Sequence, residues 1–162
     1  MEPRRVADSR STIVKWMGIP DANLAGLVHG GAVMKLCDEA AGIAAVRHCG
    51  GRVVTAGMDR MAFIHPVHVG ELLTCKACVN AVWRTSMEIG VRVESENPRT
   101  RERKHTSTAY LTMVAIDEGG KPTEVPPLAV EGETEERRQR EAELRRRNRL
   151  AERDEILAGR HD

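Results

Sequence analysis

Aromatic side chains are nearly missing from this sequence: Trp16, Phe63, Trp83 and Tyr110 are the only ones in 162 residues. An interior must therefore be filled by Val, Ile, Leu, Met and Ala, and an aliphatic core of that kind is expected to draw help from contacts between subunits. Long apolar runs are missing too. The longest unbroken stretch of apolar or glycine residues is Ala40 to Val46, whereas a spanning helix needs about 20, so no membrane span and no membrane partner is expected. The opening MEPRRVADSRSTIVKWM has no continuous apolar segment of the kind a secretory leader carries, which predicts a cytoplasmic protein. Charge of one sign is absent: 25 Lys and Arg face 24 Asp and Glu, a net +1. That balance removes the long-range attraction by which nucleic acid or an anionic surface would be recruited, and no nucleic-acid partner is expected. The length allows one domain with an appendage. It also suffices for a core without disulfide staples, so Cys37, Cys49, Cys75 and Cys78 are expected as reduced thiols.

Several catalytic signatures are absent as well. No serine sits in a G-x-S-x-G elbow and no G-x-x-x-x-G-K-[ST] loop occurs, which removes the α/β-hydrolase triad and P-loop chemistry. Cys75-Lys76-Ala77-Cys78 has the spacing of a zinc or redox pair. It falls in a run with strand alternation, however, where residues three apart point to opposite faces, so no metal site is expected. No cysteine has an evident base or helix start beside it to make it a nucleophile.

What is present is a strong change of period along the chain. Ser11 to Trp16 is short and β-branched, and Pro20, Asp21 and Asn23 then mark a turn. From about Gly31 to Arg47, Val33, Leu36, Cys37, Ala40, Ile43 and Ala44 recur at three- and four-residue steps, predicting a long Ala-rich helix. After Gly50-Gly51 the period becomes two. Met87, Ile89, Val91 and Val93 alternate with polar or small residues, and the runs 52–64, 71–83 and 106–116 are strand-like. Their links are too short for parallel crossovers. The fold class is α+β: a strand, a helix, then four strands of an antiparallel sheet with the helix on one face. Residues 1–130 form the domain. Past GGKPTEVPPL (119–128) charge density jumps, and 131–162, with nine arginines and few apolar positions, reads as a solvated helical or flexible tail. Leu144, Leu150, Ile156 and Leu157 are too sparse for a heptad seam, and removing 135–162 is expected to leave activity largely intact.

Within the helix, Lys35 and Glu39 pair on the outer side while Asp38 falls in the stripe Met34, Asp38, Ala41, Ala45. A carboxylate among apolar neighbours is disfavoured in its charged form and suits a general base; the alternative is that Asp38 merely caps or pairs. Gly30 and Gly31 lie at the helix start, where unpaired N–H groups and the positive end of the dipole suit an oxyanion or phosphate. A glycine pair also serves as a plain turn, and Asn23 as a plain turn residue.

The segments DANLAGLVHGGAVMKLCDEAAGIAAVRH (21–48), VVTAGMDRMAFIHPVHVGE (53–71), RTSMEIGVRVESENP (84–98), TSTAYLTMVAID (106–117) and VPPL (125–128), in this order and spacing, resemble the hot-dog-fold acyl-CoA thioesterases, in particular the cytosolic acyl-CoA hydrolase branch and its bacterial relatives. The resemblance spans residues 11–130. It implies a long central helix wrapped by a curved antiparallel sheet, and two subunits joining sheets edge to edge with active sites between them. It also implies a homo-oligomer with the dimer as catalytic unit, commonly a hexamer built as a trimer of dimers.

The activity implied is hydrolysis of an acyl-CoA thioester to free fatty acid and CoA, with no metal or other cofactor, since CoA belongs to the substrate and product. The family's Asn and Asp map onto Asn23 and Asp38. Asp38 would be general base or nucleophile, Asn23 would orient water or carbonyl, and Gly30 and Gly31 would donate to the oxyanion. His29, Arg84, Thr85 and Ser86 are the residues expected to contact substrate. Two alternatives share the fold: a non-catalytic acyl-CoA-binding protein, and a hydratase, for which His29 is the nearest candidate.

Overall fold

From the N-terminus the chain forms β1 (Arg4–Arg5), a helical turn α1 (Val6–Ser9), β2 (Ser11–Trp16), α2 (Gly30–Cys49), β3 (Arg52–Met58), β4 (Leu72–Val82), β5 (Ser86–Glu96), β6 (Arg103–Ile116), β7 (Leu128–Ala129) and α3 (Gly132–Ala158). This is a computed structural model describing residues 1–160. The sheet has the order β2-β4-β5-β6-β3, with every pairing antiparallel. Period-two alternation sends Met87, Ile89, Val91 and Val93 inward, all fully buried. They meet the buried face of α2, made of Val33, Leu36, Cys37, Ala40, Ala41, Ala44 and Ala45. Four alanines on that face let the helix lie close to the sheet, and the strands wrap it. Register shifts at Thr55/Gly57, Val79/Ala81 and Val93/Glu94 supply the curvature, because a bulge bends its strand and raises the local twist.

The predicted helix runs one to two residues beyond its expected ends. Its start is capped by the His29 ring, whose Nδ1 accepts the Gly31 N–H at 2.9 Å. Its end turns through Gly50 at φ 73°, in the left-handed region that favours glycine. There the Arg4 guanidinium donates to the carbonyls of Arg47 (3.2 Å) and His48 (2.7 Å), placing a cation at the negative end of the dipole. His48 is buried beside it and donates from Nε2 to the Pro126 carbonyl at 2.9 Å, while Nδ1 has no partner. A two-residue parallel pairing of β1 with β7 closes this end; neither it nor α1 was visible in the sequence pattern. The strand-like run 52–64 is shorter than its pattern suggested, ending at Met58 where the Asp59 N–H turns back to the Tyr110 carbonyl.

The segment 131–162, read as a solvated helical or flexible tail, is helical, but the helix is docked rather than solvated. Residues 132–158 are one helix lying against the outer face of the sheet, the face opposite α2; the last two residues of the chain, His161 and Asp162, lie outside the described residues. Arg145 clasps Glu88 with two hydrogen bonds, Nε at 3.0 Å and Nη2 at 2.7 Å, and its guanidinium stacks 3.6 Å from the Tyr110 ring centroid. Arg149 reaches Asp59 at 3.0 Å, Trp83 donates to Glu143 at 3.0 Å, and Ala142 is fully buried. Docking through ion pairs and one alanine leaves no hydrophobic stripe for a sequence pattern to reveal.

Candidate active site

α2 and β3 build the first half of the site. Asp38 is half-buried on the flank of α2 that faces β3, and Thr55 donates from its hydroxyl to Asp38 Oδ1 at 2.5 Å. Thr55 pairs across the sheet with Met113, which pairs with Met87. Thr55 is thus held by the ladder, and the same hydroxyl lies 3.4 Å from Met113 Sδ. One rung further are Val54, Val114 and Ser86, so the Arg84–Ser86 turn stands at the same end of the sheet as Asp38. The turn's backbone is committed: the Arg84 and Thr85 carbonyls accept from Val125 and Ala115. The Arg84 side chain is exposed.

The second half lies at the N-terminal start of α2. Asn23 is exposed, and its Oδ1 accepts the N–H groups of Ala25 (2.9 Å) and Leu27 (3.2 Å). The carboxamide oxygen holds the loop, which leaves Nδ2 as the outward donor. Gly31 departs from expectation: its N–H is occupied by His29 Nδ1. Gly30 N–H has no partner among the described residues and is the open donor of the helix start. His29, expected to meet substrate, serves in this structure as the cap of α2. Phe63 lies over the same point, its ring 3.5 Å from where a Cβ on Gly30 would stand. From Gly30 to Asp38 the helix rises about 12 Å at 1.5 Å per residue, so one chain does not bring Asn23 and Asp38 together.

The flank between the halves is open. β3 ends the sheet order with its outer edge unpaired, and Val54 on β3 and Met34, one turn before Asp38 on α2, are exposed. On the other flank of α2, Ile13 of β2 with Gly42, Ile43 and Val46 lines a shallow apolar depression. A bare edge strand beside exposed aliphatic side chains is a surface made to be covered. Cys75 is fully buried, whereas Cys78, on the opposite face, lies against Arg138; the C-x-x-C spacing does not converge.

Residues 25–102 match the model of the thioesterase superfamily. Over 157 residues the chain is 38% identical to protein VdlD of Helicobacter pylori, covering 96% of this chain and 88% of that one. An apo-hexameric acyl-CoA thioesterase superposes with TM-score 0.89 at 38% identity, covering 99% of this chain and all of the other. The chain belongs to the hot-dog thioesterase superfamily. The acyl-CoA hydrolase of Staphylococcus aureus, solved with butyryl coenzyme A, coenzyme A and coenzyme A disulfide, superposes with TM-score 0.87 at 30% identity, covering 96% of this chain and 94% of that one. Further structures of that enzyme carry single alanine replacements of an Asn, an Asp and a Thr, the Asp fifteen residues after the Asn and the Thr seventeen after the Asp. Asn23, Asp38 and Thr55 have the same spacing in this hot-dog chain. Thr55 is the member that sequence reasoning missed; strand alternation carries no sign of a hydroxyl that reaches across to a helix.

Proposed function

We propose that this protein hydrolyses the thioester bond of acyl-CoA, releasing a free acid and CoA, at sites completed by a second copy of the chain. The observation that carries the reading is the Asp38–Thr55 pair, a carboxylate held by a hydroxyl on an uncovered sheet edge. The matching Asn–Asp–Thr spacing in the S. aureus hydrolase supports it.

A two-fold operation that pairs β3 edges lays the helices side by side and carries the start of one towards the middle of the other. Asn23 and Gly30 of one subunit then face Asp38 of its partner, closing the 12 Å gap that a single chain leaves. Thr55 occupies Asp38 Oδ1, so Oδ2 is the atom left to take a proton from water as general base, or to attack the carbonyl as nucleophile. In the first course water oxygen bonds to the acyl carbon, the negative charge passes to the carbonyl oxygen, and its return expels the CoA sulfur, which takes up the proton. Gly30 N–H and Asn23 Nδ2 are the donors available to that oxyanion, a kind of contact worth about 3 to 4 kcal/mol. Arg84, Thr85 and Ser86 stand at the Asp38 end as contacts for the CoA portion. CoA esters are multiply charged and do not cross membranes unaided, which fits residence in the cytoplasm.

The test is thiol release from short- to long-chain acyl-CoAs by the parent, Asp38→Asn and Asn23→Ala, with assembly checked by sedimentation. Loss of a general base removes about 10²- to 10⁴-fold, so the Asp38→Asn rate should collapse in an intact oligomer. Full activity in that variant refutes the assignment. Binding without thiol release by the parent makes the protein a binder.

A further inference from the structure

On the outer face of the sheet, away from the Asp38 flank, α3 and the strands enclose a cavity of about 460 Å³, within the size range of small-molecule sites. Its floor is made by Cys78, Asn80 and Gly90 on the outer face of the strands. Six cations line it: Arg10, Lys76, Arg92, Arg137, Arg138 and Arg145; the one lining carboxylate is Glu141.

The pairings do not balance. Arg145 is committed to Glu88, and Arg137 to Glu141 at 2.7 Å. Lys76 and Arg92 share a single carboxylate, Glu94, at 3.5 and 2.8 Å. Arg10 makes one long contact with Glu135 at 3.6 Å. Arg138 is half-buried and meets no carboxylate among the described residues; its one polar neighbour is Cys78 Sγ at 3.6 Å. Six positive groups therefore face four negative ones, an excess of two charges around a concave space. A half-buried guanidinium without a counter-charge is costly, and guanidinium forks suit planar or tetrahedral oxyanions.

We propose that this cavity is a second ligand site, for a small phosphorylated molecule whose phosphate is held by Arg138 with Lys76 and Arg92. The dianionic phosphate matches the excess of two, and the remaining volume admits the group that carries it. This inference does not depend on the thioesterase reading.

The probe is inorganic pyrophosphate, titrated calorimetrically into the full-length protein in a phosphate-free, low-salt buffer. Saturable binding is expected, weakening as salt screens the charges. In Arg138→Gln the affinity should fall about tenfold or more, equivalent to about 1.4 kcal/mol, and Lys76→Gln should weaken it in the same direction. Arg84→Gln, in the β4–β5 turn and outside the cavity lining, should bind as the parent does. Absence of saturable binding overturns the proposal. So does affinity unchanged in both Arg138→Gln and Lys76→Gln, or affinity lost in Arg84→Gln alone, which would place the anion at the candidate active site.

Discussion

Replacing Arg145 by Ala should be among the most destabilising changes on this molecule, although the residue lies in a segment that reads as polar tail. Glu88 is 1% exposed, and its two oxygens accept from Arg145 and from Asn80 Nδ2 at 3.1 Å. Truncating Arg145 leaves Oε1 with Asn80 and strands Oε2. Breaking a buried pair by removing one partner costs about 3 to 5 kcal/mol. The Arg145 side chain is itself 21% exposed, so water can follow into the gap, and the low end, about 3 kcal/mol, is the expectation. For a chain of this length that is a fall of about 6 to 12 °C in Tm. The assay is thermal and urea denaturation at one fixed protein concentration, since assembly itself raises apparent stability, with Glu88→Gln and the double variant completing a cycle. A loss below about 1 kcal/mol, the level of a surface pair, would refute the reasoning and show that α3 does not hold this contact in solution.

Other consequences follow from the same contacts. Thr55→Val removes the one described hydrogen bond to Asp38, a charged acceptor; a bond of this kind is worth about 1.5 to 3 kcal/mol, and steady-state kinetics should show kcat reduced roughly 10- to 100-fold with the sheet intact. Gly90→Ala places a methyl 2.6 Å from Asn80 Nδ2. It should cost about 1 to 3 kcal/mol in urea unfolding, and less in an Asn80→Ala background. Burial holds the His48 imidazole below its ordinary value of 6.5; the folded state therefore resists protonation. The stability it confers is complete above about pH 6.5 and is lost as pH falls from there through the folded value. Parallel melts at pH 7.5 and 5.5 should show a drop that His48→Gln lessens. Deletion of residues 135–162, which the sequence suggested would leave activity largely intact, should lower stability, because it uncovers Tyr110 and severs Arg149 from Asp59 just after β3.

The polypeptide by itself determined the elements that repeat over many residues. Three- and four-residue steps from Val33 to Ala44 can bury one helical face only, and the alternation from Met87 to Val93 can bury one sheet face only, so α2 and the central strands were legible locally. The order of quoted segments also pointed to Asn23 and Asp38 as the residues to watch. Tertiary structure decided what depends on residues distant in sequence. Thr55 reaches Asp38 because β3 lies beside α2, and His29 takes up the Gly31 N–H that a helix start alone would have left open. Glu88 reads as a solvent-facing strand residue until α3 crosses it, 57 residues later in the chain. Charged docking of that kind has no period: each guanidinium needs one carboxylate at one place, and only the folded chain says which.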